Sequence, residues 1–410
     1  MSSKPLSLSS EYINLEINLP ASKSISNRAL ILNALSYSAY DIENLSDSDD
    51  TRVMEAAFES NSSHFDVGAA GTSMRFLTAF LAKTVGEWTI TGSERMKNRP
   101  IKLLVDALNS LGGKIEYMEK EGFPPLRIFG SALMGGEINL DGGISSQYIS
   151  ALMMIAPFMQ NGLKINLEGK VISRPYIRMT QQMMADFGVK VAFHENIIDI
   201  QPQTYTPIRY RVESDWSAAS YWYEILALAE EGKIQLNGLK KESLQGDSHV
   251  AEIYKNFGVE TEYFDNYVVI SKSKEQTHKL DADKLEIDFT NVPDLAQTVV
   301  VTCCLKEIPF KFSGLQSLKI KETNRVAALI NELKKLGYVL YEPSEGELAW
   351  NEERCEPESV PSIATYEDHR MAMAFAPAAL LKPIEILHPE VVSKSYPGFW
   401  EDIGLLNRIE

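Results

Sequence analysis

The chain has 410 residues, 44% of them hydrophobic, which is longer than one hydrophobic core usually organises, so two domains are the starting expectation. Its formal net charge of −16 at pH 7 argues against nonspecific attraction to nucleic acid or to an anionic membrane. The best apolar run, Ile149 to Phe158, falls short of the roughly 18 residues of a membrane span, and residues 1–15 fit neither a signal nor a transit peptide, so a soluble cytoplasmic chain is expected.

Along the chain, Lys and Arg gather in short segments rich in Ser, Thr, Gly and Asn that stand beside apolar helical runs. In an acidic protein this points to a small anionic ligand, against the plainer reading of solvated side chains. The first such segment, Ala21 to Leu32 (ASKSISNRALIL), places Lys23 and Ser24 at the start of a helix expected over Asn27 to Ser36, with Ser24 or Ser26 as its cap and Arg28 about one turn inside. Lysine offers phosphate a point charge, serine a neutral hydrogen bond and arginine a rigid fork; a capped surface helix is the alternative. Gly68 to Arg75 (GAAGTSMR) reads as a glycine turn leading into a helix over Ser73 to Lys83, where the missing Cβ admits a ligand to the backbone. Glu94 to Pro100 (ERMKNRP) packs Arg95, Lys97 and Arg99 so closely that they repel unless water or an anion intervenes.

Leu103 to Tyr117 then introduces a pattern that returns at Met179 to Phe193, Val250 to Phe264 and Ala328 to Tyr341: an amphipathic helix, a glycine, and an alternating apolar stretch. Gly112, Gly188, Gly258 and Gly337 are spaced by roughly 70 to 80 residues, the scale of a supersecondary unit, and each is placed to end its helix in the left-handed conformation. Between these copies, helices are expected over Ser146 to Phe158, Trp216 to Glu230, Ala296 to Leu305 and His369 to Leu381, opened by Ser145-Ser146, Asp215, Asp294 and Asp368. Helix N-termini carry unpaired N–H groups and the positive dipole end, which suits phosphate and carboxylate. Lys319 to Arg325 (KIKETNR) and Tyr366 to Met371 (YEDHRM) mix acids and bases able to transfer protons and clamp a carboxylate; His369 is equally compatible with a structural hydrogen bond. Cys303 and Cys304 sit in an apolar run and Cys355 stands alone, with no metal-ligand or redox spacing.

In chain order ASKSISNRALIL, GAAGTSMR, RMKNRPI, ISSQYISALMM, ISRPYIRMT, DWSAASY, NVPDLAQT, IKETNR, YEDHRMAM and SKSYPGF resemble the motif series of the 5-enolpyruvylshikimate-3-phosphate synthases, a family of enolpyruvyl transferases. The resemblance runs from Pro20 to about Trp400, and SKSISNRALIL, RMKNRP, KETNR and EDHRMAM together are highly specific. It implies an inside-out α/β two-domain fold of repeated βαβαββ-like units with an interdomain cleft. One domain would join residues 1–21 to 216–410, and the other would be residues 22–215. It implies transfer of the enolpyruvyl group of phosphoenolpyruvate to the 5-hydroxyl of shikimate 3-phosphate, with release of phosphate, no cofactor and no metal, by a monomer.

The resemblance further implies roles. Lys23, Ser24, Arg28, Ser145, Ser146, Gln147, Ser173, Tyr176, Asp294, Ser317 and Lys321 would hold shikimate 3-phosphate. Lys23, Gly71, Arg99, Gln147, Arg325, Arg370 and Lys394 would hold phosphoenolpyruvate, with Arg325 and Arg370 on its carboxylate. Asp294 and Lys321 are the candidates at the ring hydroxyl and Glu322 at the methylene carbon, with Lys23 and His369 as further catalytic candidates. Three departures from the family pattern stand out: Ala69 in place of Asn, Ser317 in place of Asn, and a stretch from Glu55 to Asp66 that is short by roughly one hairpin. Two alternatives stay open, an enolpyruvyl transferase acting on a UDP-amino sugar and a weakened relative that binds phosphorylated ligands. The first typically carries a loop cysteine near Arg95 to Arg99, and no cysteine precedes Cys303.

Overall fold

The computed structural model describes residues 2–9, 12–274 and 284–408. The chain divides into two compact units, Met1–Pro20 with Glu213–Glu410 (the split unit) and Ala21–Val212 (the inserted unit). The inserted unit holds helices α1 (Lys23–Leu35), α2 (Asp49–Glu59), α3 (Gly71–Lys83), α4 (Glu94–Lys97), α5 (Lys102–Ser110), α6 (Ser146–Ile155) and α7 (Arg174–Asp186). The split unit holds α8 (Trp216–Leu228), α9 (Val250–Tyr254), α10 (Ala296–Leu305), α11 (Arg325–Lys335), α12 (His369–Phe375) and α13 (Phe399–Ile403).

One topology recurs in both units. The sheet ordered His64–Asp66, Gly86–Thr91, Leu126–Gly130, Lys114–Tyr117 has its first two strands parallel and the remaining pairs antiparallel. The sheet ordered Gly136–Asp141, Leu163–Glu168, Ile197–Ile200, Ala192–His194 repeats that order and those senses. Parallel neighbours require a crossover, supplied here by α3 and α6, whereas the antiparallel pair closes through a short turn. In the split unit the sheet Tyr12–Asn18, Glu231–Asn237, Tyr267–Lys272, Glu260–Tyr263 follows the same plan, and its crossover contains the whole inserted unit as well as α8. The helix-to-strand junctions are set by glycine: Gly112, Gly188, Gly258 and Gly337 have φ of +98°, +85°, +78° and +99°. A residue with a Cβ is strained there, so each glycine can stop its helix and turn the chain where others cannot.

Three copies are reduced. Leu285–Asp288, Phe310–Ser313 and Leu348–Trp350 form a three-stranded sheet, and the alternating stretch ending at Tyr341 contributes only isolated bridges from Tyr338 and Tyr341 rather than the strand its pattern suggests. Ser362–Ile363, Ile384–Leu387 and Ser3–Leu6 form another. Tyr210–Arg211 and Ile42–Glu43 make a two-stranded sheet: after α2 ends at Glu59 the chain goes through Ser60 to Ser63 straight into the next sheet, without a hairpin.

The core helices are apolar on every face because they are enclosed on every face. Along α8, Trp216, Tyr221, Trp222, Tyr223, Ile225 and Leu226 are all buried, as are Val299, Val300, Val301, Cys303 and Cys304 along α10. Cys303 and Cys304 are thus packed thiols, with burial pushing both well above the usual thiol range.

Several helix starts differ from the sequence reading. Helix α1 begins at Lys23 with Ser22 as its N-cap, so Ser24 and Ser26 lie inside its first turns. Helix α3 begins at Gly71 after Ala70. Asp294 does not cap α10; it sits in the 3-10 turn Pro293–Leu295, and Leu295 takes the cap position. Helix α11 begins at Arg325, so Glu322 precedes the helix. In each segment several adjacent residues can cap or turn, and the apolar pattern does not choose among them.

Candidate active site

In the inserted unit α1, α3, α6 and α7 pack together, and Arg28 ties three of them. Its Nε donates to Thr180 Oγ1 of α7 at 2.7 Å, its Nη2 to Ser150 Oγ of α6 at 3.1 Å, and its Nη1 to the Ser24 carbonyl of α1 at 2.9 Å. Its guanidinium lies 5.3 Å from the Phe76 ring centroid and 5.8 Å from that of Tyr176. The fourth helix joins through Gln147 Nε2, which donates to Thr72 Oγ1 of α3 at 3.2 Å.

These four helices share a second property. None of the N-caps Ser22, Ala70, Ser145 and Ser173 makes a side-chain capping bond, so the first-turn N–H groups are not taken up in that way. Ser173 also stands in the left-handed region at φ +53°, a conformation costly for a residue with a Cβ. The Ser22 hydroxyl is buried without a hydrogen-bond partner. Cations accumulate over these ends. Arg28 is 2% exposed and bonds to two hydroxyls and a carbonyl but, among the described residues, to no carboxylate, and burial pulls its guanidinium down to about 10. A buried cation held only by neutral groups favours an incoming anion.

Gly71 is the second focus. A Cβ there would stand 2.6 Å from Arg99 Nη1 and 2.8 Å from Arg75 Nη1, so two guanidiniums close over the first residue of α3 because it is glycine. Arg75 Nη1 donates to the Gly71 carbonyl at 2.7 Å, and its guanidinium lies 5.6 Å from the Tyr148 ring centroid. Tyr148 in turn donates to the Pro100 carbonyl at 2.5 Å, which fixes the segment bearing Arg99 against α6. The Arg99 Nε is buried without a partner. Lys23, at the start of α1, lies 3.6 Å from Asp50. Sequence reasoning gave no role to Arg75, although it stands inside GAAGTSMR, nor to Ser150 and Thr180, which carry no signal beyond ordinary helix positions.

The split unit gathers its helix starts differently, with acids and amides as caps. Asp215 accepts from the Ser217 and Ala218 amides of α8, Asn324 from the Ala327 amide of α11, and Asp368 from the Arg370 amide of α12. At their meeting point Arg325, 1% exposed, is enclosed by three carboxylates. Its Nε is 2.6 Å from Asp368 Oδ2, its Nη1 3.0 Å from Asp294 Oδ1 and its Nη2 2.9 Å from Glu322 Oε2. Arg370 Nη2 lies 3.3 Å from Asp294 Oδ2, and Lys321 Nζ 3.8 Å from Asp294 Oδ1.

Burial alone would raise the Asp294 carboxyl, but Arg370, Lys321 and Arg325 outweigh it and hold the group well below the usual carboxylate range. For Lys321, Asp294 supports the charge, yet burial together with Arg325 and Arg370 leaves the ammonium below its ordinary value. His369 is buried as the first residue of α12, with Nδ1 3.8 Å from Asp368 Oδ1. Lys394 Nζ donates to the Glu367 carbonyl at 2.6 Å, beside Asp368. Ser317 lies in the 3-10 turn Gln316–Ile320 before Lys321 and makes no hydrogen bond to this cluster among the described residues.

The family model described as EPSP synthase (3-phosphoshikimate 1-carboxyvinyltransferase) matches residues 9–61 and 55–403. The chain belongs to the EPSP synthase family. The two matched stretches meet at residues 55–61, at the end of α2, where the first sheet lacks its hairpin. Among relatives, 3-phosphoshikimate 1-carboxyvinyltransferase of Bacteroides fragilis is 54% identical over 95% of this chain and 95% of its own. The enzyme of that name from Vibrio vulnificus is 36% identical over 97% of each chain. The solved EPSP synthase of Acinetobacter baumannii superposes with a TM-score of 0.80 at 20% identity, over 99% of this chain and 98% of that one. The inside-out α/β fold of the family is therefore the fold of this chain, and its sheets repeat the βαβαββ plan. Among the described residues no group of His, Cys, Asp and Glu could hold a metal ion, and no helix is long and apolar enough to cross a membrane.

Proposed function

We infer that the chain transfers the enolpyruvyl group of phosphoenolpyruvate to the 5-hydroxyl of shikimate 3-phosphate and releases phosphate, a step of aromatic amino acid biosynthesis. The observation that carries this is the near-complete alignment, 95% of each chain at 54% identity, with an enzyme named for that activity.

The chemistry assigns the site residues. Oxygen of the ring hydroxyl bonds to C2 of phosphoenolpyruvate while C3 takes up a proton; later the C2–O bond to phosphate breaks and C3 gives a proton back. Bringing a second anion beside shikimate 3-phosphate demands dense positive charge. In our reading Lys23, Ser24, Arg28, Ser145, Ser146, Gln147, Ser173 and Tyr176 hold shikimate 3-phosphate with Asp294, Ser317 and Lys321. Arg28 supports this by its buried charge and neutral partners. Lys23, Gly71, Arg99 and Gln147 hold the phosphate of phosphoenolpyruvate, with Arg75 now added to that group because it meets Arg99 over Gly71. Lys394 joins the cations on that phosphate, and Arg370 takes the carboxylate together with Arg325, through the one N–H that its three carboxylates leave over. Asp294 and Lys321 handle the hydroxyl proton and Glu322 the methylene carbon, with Lys23 and His369 as further catalytic residues in this reading.

We also propose that the chain works in the cytoplasm as a monomer and that residues 1–21 with 216–410 and residues 22–215 are its domains. Light scattering and limited proteolysis test these points. A weakened relative is a second reading favoured by one observation, the two-stranded first sheet. Phosphate release followed with both substrates decides: turnover that requires both supports the assignment, and binding of shikimate 3-phosphate without phosphate release supports the weakened relative.

A further inference from the structure

The split-unit cluster is balanced. Asp294, Glu322 and Asp368 face Lys321, Arg325 and Arg370. A fourth carboxyl, Asp247, stands behind it in the 3-10 turn Gly246–His249 and is 3% exposed. Ser217, in the first turn of α8, lies between Asp247 and Arg370. Its hydroxyl donates to Asp247 Oδ2 and accepts from Arg370 Nη2 at 3.4 Å. The other oxygen, Asp247 Oδ1, is buried without a hydrogen-bond partner among the described residues.

That orphaned oxygen indicates the state of the group. Ionised, Asp247 would keep one charged oxygen out of water and unpaired, which is costly, whereas a proton neutralises it. The charges facing it point the same way: burial first, then Asp294 from the turn before α10 and Asp215 at the start of α8, favour the neutral acid. Arg370 of α12 and the Ser217 hydroxyl oppose them, and the carboxyl is pushed up to about 7. Ionised, Asp247 would also turn three acids against three bases into four against three.

We propose that Asp247 is a positioning residue for the enolpyruvyl donor: while it holds a proton it keeps Arg370 aimed through Ser217 and undiverted by a fourth carboxylate, so one proton in this pocket sets the grip on the carboxylate of phosphoenolpyruvate. This rests on the reading of Arg370 as a ligand of that carboxylate. When the proton leaves, the guanidinium gains a competing anion, and phosphoenolpyruvate binds more weakly while turnover at saturation persists.

The test is phosphate release by the full chain, wild type and Asp247→Asn, with KM for phosphoenolpyruvate and kcat measured from pH 5.5 to 8.5. Taking the ratio of kcat/KM between variant and wild type cancels the titration of the substrate. The ratio should climb about three- to tenfold over that range, the equivalent of about 0.7 to 1.4 kcal/mol of lost binding. A flat ratio, or a loss of kcat at every pH with KM unmoved, overturns the proposal. Ser217→Ala is an independent arm, expected to raise KM for phosphoenolpyruvate severalfold at low pH with kcat kept, and Ser217→Thr should recover it. Unmoved KM in Ser217→Ala counts against the proposal even if the Asn variant does not fold. Wild type that releases no phosphate would instead refute the functional reading itself.

Discussion

Arg325 Nε meets Asp368 Oδ2 at 2.6 Å, 43 residues apart in the chain, with both side chains buried. Because Asp368 also caps α12, one carboxylate holds both the charge of Arg325 and the start of the helix that carries Arg370. Removing Asp368 takes one of its three carboxylates from buried Arg325 and the cap from α12, so Asp368→Ala should cost about 3 to 5 kcal/mol in urea denaturation. The acid limb of stability follows from Asp294. Its folded carboxyl lies below the unfolded value, so its contribution is complete above about pH 4 and is lost as pH falls further toward the folded pKa. Asp294→Asn should flatten the decline of melting temperature below pH 4; an unchanged acid limb would mean that other carboxylates govern it.

Glu322 stands between two roles. Its Oε2 is 2.9 Å from Arg325 Nη2, as a salt-bridge partner would be, yet it lies outside α11 and is partly exposed, as a proton donor to substrate must be. We expect Glu322→Gln to lower kcat by about 10²- to 10⁴-fold with little change in KM, since the amide keeps shape but not the titrating proton. A raised KM for phosphoenolpyruvate with kcat intact would reassign it to holding Arg325.

Gly71→Ala tests the arginine pair. The new methyl would fall within 2.8 Å of both guanidiniums, which are ends of flexible side chains, so the cations move and the helix does not. KM for phosphoenolpyruvate should rise by about tenfold, the equivalent of about 1.4 kcal/mol of lost phosphate binding. The melting temperature should stay nearly constant, and a collapse in stability with KM intact would show that the site does not form over Gly71.

Arg28→Met should move stability and function in opposite directions. Methionine fills a similar path between Phe76 and Tyr176 without a buried charge, and it removes the desolvation cost of a buried cation that is held only by neutral groups. Binding of shikimate 3-phosphate, read by calorimetry, should be lost. Retained binding would remove Arg28 from the site.

How much of this was legible in the chain depends on distance along it. Helix ends at Gly112, Gly188, Gly258 and Gly337, the apolar run of α10 and the four-fold return of helix and glycine are written within about a dozen residues each, because backbone sterics and side-chain periodicity act locally. The lone pattern that did not become a strand, ending at Tyr341, meets its neighbours only at the bridges of Tyr338 with Arg354 and Tyr341 with Ala349, which no local rule foretells. The candidate residues were legible as types, since Lys, Arg, Ser and Gly beside helix starts announce an anion site. Which of them meet was not: Arg28 reaches Ser150 and Thr180 across 122 and 152 residues, and Arg325 reaches Asp294 and Asp368 across 31 and 43. Packing also decided where a helix start is left without a side-chain cap, as at Ser145, and where an acid fills it, as at Asp368. Only the tertiary structure could bury Asp247 behind Ser217, because desolvation and the field of distant charges belong to the folded arrangement and leave no mark on the order of residues.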